Sequence, residues 1–245
     1  MEKLPVYTTH ETVKSFQIDL NKKLRLGTLF GYLQEAAYHH AENLEVGFTN
    51  LKESQKFWVL SRSIIQIERY PLWGENLKIT TWPKGVNRIF AMRDFDINDE
   101  DNQTIIKATS AWIVIDAKTR RPVKVLDEIK DIDDNGGRAA IEEFPDKLLM
   151  PEKPLKKKFG ADYTSIDLNG HVNNTKYIDW ITDCFNEDLY KTKEIMKLQI
   201  NFNSEMYWND EIELCHEKME NGDILFSGNN ITKETNAFQA KIKFK

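Results

Sequence analysis

Cysteine is scarce. Cys184 and Cys215 are the two in 245 residues, and they form neither a CxxC pair nor a metal-ligand spacing. A disulfide framework is therefore not expected, and a reducing, cytoplasmic setting is. No stretch approaches the roughly 20 apolar residues of a membrane span. The opening Met-Glu-Lys-Leu-Pro-Val-Tyr has no apolar run behind its charges, so no secretory leader is expected. Basic surplus is also missing. The formal net charge is −5, and no helix-turn-helix stands apart, which argues against DNA or RNA as a partner. There is no G-x-S-x-G elbow, H-E-x-x-H zinc motif, Walker A loop or G-x-G-x-x-G fingerprint. Chemistry without a metal or organic cofactor is the expectation. His10, His39, His40 and His216 are scattered and read as structural or surface residues.

What the chain does contain is an internal repeat. Hydrophobic residues make up 40% and charged residues 30%, enough apolar material for one large domain or two small ones. Ile18-Asp19-Leu20-Asn21 recurs as Ile166-Asp167-Leu168-Asn169. After each copy comes a helical pattern: Leu26, Leu29, Phe30, Leu33, Ala36, Ala37 and His40 in the first, and Tyr177, Ile178, Ile181, Cys184 and Phe185 in the second. Strand-like segments follow, at Trp58 to Ile67 and at Leu198 to Phe202. Trp73-Gly-Glu-Asn-Leu-Lys then echoes Trp208-Asn-Asp-Glu-Ile-Glu, and Ala111 to Ile115 echoes Ala237 to Ile242. The register between copies changes from the first motif to the tryptophans, so the first copy holds about thirteen extra residues, most naturally within Gly47 to Lys56.

A sheet with one apolar face needs a cover, and one long helix per half supplies it. The expected class is α+β, a tandem (double) hotdog, each repeat an antiparallel sheet wrapped around a central helix. The expected organisation is a first repeat over 1–130, a linker over 131–158 rich in charge, glycine and proline, and a second repeat over 159–245.

The segment Asp167-Leu-Asn169-Gly-His171-Val-Asn173-Asn174 sets a carboxylate, an amide and an imidazole at alternate positions just ahead of a helix. If extended, it projects Asp167, Asn169 and His171 from one side. Gly170 lets the chain turn where a side chain would not fit. The helix start brings N–H groups and partial positive charge suited to a developing oxyanion. Histidine suits proton abstraction near neutral pH. The bland reading is a polar turn, with Asn173 or Asn174 capping the helix. The first copy favours chemistry for the histidine, because Lys23 stands where His171 would. A fold requirement should appear in both copies, whereas chemistry need appear in one.

At these residues the chain resembles the acyl-acyl carrier protein (ACP) thioesterases of plants and bacteria. Gly170-His171-Val172-Asn173-Asn174-Thr-Lys176-Tyr177-Ile178-x-Trp180 is similar to that family's signature. So are Leu33-Gln34-Glu35-Ala36-Ala37-x-His39-His40, Glu68-Arg69-Tyr70-Pro71-x-Trp73-Gly74, Arg93-Asp94, Ala108-Thr-Ser110-x-Trp112 and Lys118-Thr-Arg120-Arg121-Pro122. The resemblance implies a double hotdog, acyl carrier protein as donor and water as acceptor. It implies that Asp167 orients Asn169, that Asn169 positions the thioester carbonyl or the water, that His171 is catalytic, and that Glu205 activates water. Plant members carry a cysteine directly after that glutamate. Here Met206 occupies the position, and a thioether cannot act as a thiolate nucleophile. In the first repeat the place of Glu205 falls to Tyr70, so one active site per chain follows.

The first repeat is then left to hold the acyl chain, with Leu29, Leu33, Ala37 and Trp58 as lining and Asn173 and Asn174 as further substrate contacts. Ordinary core packing is the competing reading for each apolar residue. Lys22-Lys23, Arg120-Arg121 and Lys156-Lys157-Lys158 are solvated faces or a landing patch for an acidic partner. Rival functions are a hotdog acyl-coenzyme A thioesterase, a hotdog hydratase or dehydratase, and a non-catalytic acyl-binding protein. The double repeat leaves room for a homodimer.

Overall fold

Among the described residues, runs rich in Val, Ile, Thr and aromatic residues form ten strands, and two apolar stripes at helical spacing form the principal helices. The computed structural model describes residues 3–124, 129, 132, 134–152 and 155–245. The chain divides into two compact units, Met1–Leu24 with Gly31–Pro145, and Arg25–Phe30 with Asp146–Lys245.

The first unit contains β1 (Tyr7–Thr12), most of α1 (Leu26–Asn43), the short α2 (Phe48–Glu53), β2 (Lys56–Ile67), β3 (Asn76–Asn87), β4 (Phe90–Asn98) and β5 (Thr104–Asp116). Its strands run antiparallel in the order β1-β3-β4-β5-β2. The second contains β6 (Leu155–Gly160), α3 (Asn174–Thr182), α4 (Glu187–Thr192), β7 (Ile195–Phe202), β8 (Glu211–Lys218), β9 (Ile224–Asn230) and β10 (Thr235–Phe244). Their order is β7-β10-β9-β8-β6, again antiparallel. Matching β1 to β6, β2 to β7 and so on through β5 and β10 makes the two sheets the same topology. The repeat seen in four residues is thus a repeat of the whole architecture, and the expectation that the extra residues of the first copy fall within Gly47 to Lys56 is corrected: α2 and α4 have 6 residues each, whereas α1 has 18 against 9 in α3 and β2 has 12 against 8 in β7.

Each of the two longer helices buries one stripe. In α1, Leu26, Leu29, Phe30, Leu33, Ala36 and Ala37 are buried. In α3, Tyr177, Ile178, Trp180 and Ile181 are. The Tyr177 ring lies 5.8 Å from Phe202 and 5.3 Å from Phe238, so this helix packs on β7 and β10. Gly228 of β9 admits the Phe238 ring, whose Cε1 is 2.2 Å from where a Cβ would stand.

The expected linker needs correction. Residues 131, 133 and 153–154 lie outside the described residues, but the rest is bonded to the sheets. Trp82 donates its indole N–H to the Arg138 carbonyl at 2.9 Å, and Asp94 accepts the Ala140 N–H at 2.6 Å. Lys84 donates to the Ile141 carbonyl and Arg62 to that of Pro145. In the second unit, Gln199 and Asn201 both donate to the Asp146 carbonyl, and Gln239 to that of Leu148. From Leu155 the chain is already β6, paired with β8. Polar side chains facing outward from a sheet hold an irregular segment by its carbonyls, which composition does not reveal.

A buried polar pair ties α1 to β4. His40 is fully buried; its Nε2–H donates to the Leu4 carbonyl at 2.8 Å, and its Nδ1 accepts from Arg93 at 2.7 Å. Burial, and secondarily the Arg93 charge, push His40 down to about 4. Burial likewise holds Arg93 down to about 10. The folded state therefore favours neutral His40. Its contribution is complete above the ordinary 6.5 and is lost as pH falls toward 4. Between pH 7 and pH 5 this group alone should cost roughly 2 kcal/mol of stability. Denaturant unfolding at both pH values, compared with His40→Gln, checks it: the variant should show a shallower loss.

Candidate functional site

The loop ahead of α3 is a closed turn, not an extended segment. Asp167 Oδ1 accepts the N–H of Asn169 at 2.8 Å and of His171 at 3.2 Å, and its own N–H donates to the His171 carbonyl at 2.8 Å. Gly170 sits in the left-handed region at φ 80°, with nothing within 4 Å of a built Cβ. Backbone conformation, and not lack of room, is what favours glycine there. The expectation that Asp167, Asn169 and His171 project together from an extended chain is corrected accordingly: Asp167 is turned inward on the backbone, and Asn169 is exposed at the tip.

The first repeat builds the same turn. Asp19 Oδ1 accepts from Asn21 N–H at 2.8 Å and Lys23 N–H at 3.0 Å, with Lys22 at φ 61° where the second copy has Gly170. The next residue anchors both loops alike, Leu24 N–H to the Pro71 carbonyl and Val172 N–H to the Met206 carbonyl, each at 2.8 Å. Lys23 then pairs with Leu72, and His171 with Tyr207. The copies differ in what this frame carries. Tyr70 and Leu72 stand in the first where Glu205 and Tyr207 stand in the second.

Within the second frame, His171 Nε2 lies 3.5 Å from Glu205 Oε2, with side chains 24% and 31% exposed, open enough for water to reach. The Tyr207 hydroxyl donates to the same Glu205 oxygen at 3.1 Å. The Tyr207 ring meets His171 at 5.0 Å and 89°. Sequence reasoning missed Tyr207, although its spacing of two from Glu205 was a signal. Beneath lies Tyr177, whose phenol is raised above its ordinary range by burial, and further by the charges of Asp210, Glu205 and Asp167.

Asn173 caps α3: its Oδ1 accepts from Thr175 N–H at 2.9 Å and Thr175 hydroxyl at 2.8 Å. That engaged oxygen gives Asn173 the capping role that the sequence offered as the alternative. Asn174 is the first residue of the helix and half-buried. Leu29, Leu33 and Ala37 are buried, and Trp58 donates its indole N–H to the Val46 carbonyl at 2.7 Å. By packing, Leu29 belongs to the second unit and the other three to the first. Cys184 lies just past α3, its Sγ on the Trp180 carbonyl, and burial pushes its thiol up to about 11; burial raises Cys215 as well. Of the Lys156–Lys158 cluster, Lys156 pairs with Glu213 at 2.8 Å and Lys157 donates to the Asp183 carbonyl. Among the described residues no helix is long and apolar enough to cross a membrane.

Two hotdog repeats of one topology, a histidine and a glutamate meeting in the second, define a double-hotdog protein with an asymmetric site. Its relatives narrow the class. The acyl-ACP thioesterase N-terminal domain matches residues 5–132 and the C-terminal domain residues 150–245, and the chain belongs to the acyl-ACP thioesterase family. It is 28% identical over 229 residues to oleoyl-acyl carrier protein thioesterase 1, chloroplastic, of Arabidopsis thaliana, covering 84% of this chain and 62% of that protein. To the chloroplastic palmitoyl-acyl carrier protein thioesterase of Cuphea hookeriana it is 28% identical over 214 residues, 82% of this chain and 52% of that one. The chain thus spans between half and two thirds of the length of these curated relatives. An acyl-ACP thioesterase from Bacteroides thetaiotaomicron superimposes with a TM-score of 0.88 at 29% identity, covering 98% of both chains. The 12:0-ACP thioesterase of Umbellularia californica shares the fold, with a TM-score of 0.84 at 19% identity over 98% of this chain and 97% of that one.

The Asn173 cap predicts its own cost. Asn173→Ala should lower stability by about 1 kcal/mol, and Asn173→Asp should recover most of it. Thermal unfolding of the two variants checks this.

Proposed function

We propose that this protein hydrolyses fatty acyl-ACP thioesters to free fatty acid and the carrier's thiol, by water attack assisted by His171 and Glu205. The observation that carries the reading is the imidazole–carboxylate pair at 3.5 Å, carried by the shared frame in one repeat and absent from it in the other. The pair holds a water and takes its proton. The oxygen adds to the thioester carbonyl, the C–S bond breaks, and the departing thiolate is protonated. The start of α3, three residues beyond the paired His171, supplies positive potential for the developing oxyanion. Exposed Asn169 and half-buried Asn174 are assigned to orienting the thioester carbonyl or the water. Asp167 acts one step back, by holding the turn.

The carrier assignment is supported by family membership, and a cytoplasmic setting by two free cysteines. The acyl chain is assigned to the first repeat, lined by Leu33, Ala37 and Trp58, where each buried methylene favours a longer chain by about 0.8 kcal/mol until space runs out.

The test is a hydrolysis assay on matched acyl-ACP and acyl-coenzyme A panels. Turnover should favour the carrier protein, and His171→Ala should lose roughly 10²–10⁴-fold in kcat with an unchanged unfolding midpoint. A fully active alanine variant overturns the site, and faster turnover of coenzyme A esters overturns the carrier. Ala37→Leu and Leu33→Phe should shift the preferred substrate to shorter chains; identical product profiles count against the pocket.

A further inference from the structure

Glu205 stands in the connection between β7 and β8, outside either strand, where no sheet ladder fixes its side chain. A glutamate carboxylate moves on several rotatable bonds, and holding it costs conformational entropy. A carboxylate that must share a water with an imidazole needs that freedom removed beforehand.

Tyr207 is placed to do so. Its hydroxyl donates to Glu205 Oε2 at 3.1 Å, the oxygen that faces His171 Nε2. The tyrosine is itself fixed from several directions. Its backbone pairs with His171, and its N–H donates to Asp210 Oδ2 at 2.9 Å. The ring stands edge-on to the His171 imidazole. Lys233 Nζ sits 3.6 Å from the ring centroid and 3.4 Å from Asp210 Oδ2, so one cation bridges the ring and the buried carboxylate. Asp210 is 4% exposed and also accepts from Asn230 Nδ2 at 2.8 Å. In the first repeat Leu72 occupies the matching place, so the phenol, the carboxylate and the imidazole occur together in one copy.

We propose that Tyr207 is a positioning residue for the hydrolysis: its hydroxyl sets the Glu205 carboxylate against His171, and Lys233, seated over the phenol ring, holds it in place. This rests on the reading of His171 and Glu205 as the pair that activates water. The phenol takes no proton from the substrate and forms no bond to it. Tyr207→Phe removes the hydroxyl while keeping the ring against His171 and Lys233, so it separates positioning from packing.

The experiment is a double-mutant cycle on the full chain, assayed with a saturating acyl-ACP thioester and by thermal unfolding. Tyr207→Phe should lower kcat about tenfold, as expected for one charge-assisted hydrogen bond, with KM within twofold and the unfolding midpoint unchanged. In a Glu205→Gln background the same change should cost nothing further, since the carboxylate it orients is gone. Lys233→Met should lower kcat two- to threefold in the wild type and have no effect on Tyr207→Phe, Glu205→Gln. Wild-type kcat in Tyr207→Phe, or the same tenfold loss in both backgrounds, overturns the positioning role. If Glu205→Gln alone keeps wild-type kcat, the hydrolytic reading fails and takes the positioning role with it. Silence of Tyr207→Phe alone, beside an impaired Glu205→Gln, removes only Tyr207.

Discussion

A carboxylate folded back on its own chain governs both repeats. Asp19 and Asp167 each accept two backbone N–H groups from the four residues that follow, and each closes a turn that presents its next residue to the loop between the following two strands. Hydrogen bonds to an ionised acceptor contribute about 1.5–3 kcal/mol and fix direction as well as distance. The turn therefore pins the residue four places on, Lys23 or His171, beside the residue it pairs with, Leu72 or Tyr207. Chemistry enters by changing what the pinned positions carry, with the backbone bonds left alone.

The duplication acts as an internal control on every assignment. Asp167 has the same bonds as Asp19, so its first duty is to the fold. The aspartate that a family resemblance casts as a catalytic orienter acts on His171 through the main chain. Asn21 and Asn169 are likewise identical and donate alike to their aspartates, which leaves any role for the Asn169 amide in the reaction resting on its exposed place at the loop tip. His171, Glu205 and Tyr207 have no such counterparts.

Much of this is legible in the amino-acid sequence alone. The repeated tetrapeptide, the tryptophan turns and the order of helix and strands predicted two like units, because amphipathic periodicity reports burial directly. The edge strands β1 and β6 escaped notice for the reason that edges exist in this form. Tyr-Thr-Thr-His-Glu-Thr and Leu-Lys-Lys-Lys-Phe-Gly bury little, and charge on an edge discourages pairing with another chain. The strap over 134–150 was invisible because it is held by side-chain bonds to its carbonyls, which leave no pattern in its own residues. The approach of Glu205 to His171 spans 34 positions and could be suggested only by resemblance. Tyr207 lay within reach of period-two reasoning from Glu205, had the segment been treated as strand-like.

Met206 bears on the nature of the nucleophile. Plant members of the family carry a cysteine at this position, and here the side chain is fully buried. Its backbone is the hub of the site: the carbonyl accepts from Val172, and the N–H donates to the buried Tyr177 phenol. A residue so held turns its side chain to the core and its neighbours, Glu205 and Tyr207, to the open side, since successive residues of an extended stretch alternate. A thiol placed there would inherit the buried direction, where desolvation raises its pKa and disfavours the thiolate, as it does for Cys184. On the proposed hydrolytic reading, the frame favours water as nucleophile on grounds separate from the missing cysteine: the same alternation that buries position 206 turns a carboxylate and a phenol toward the histidine.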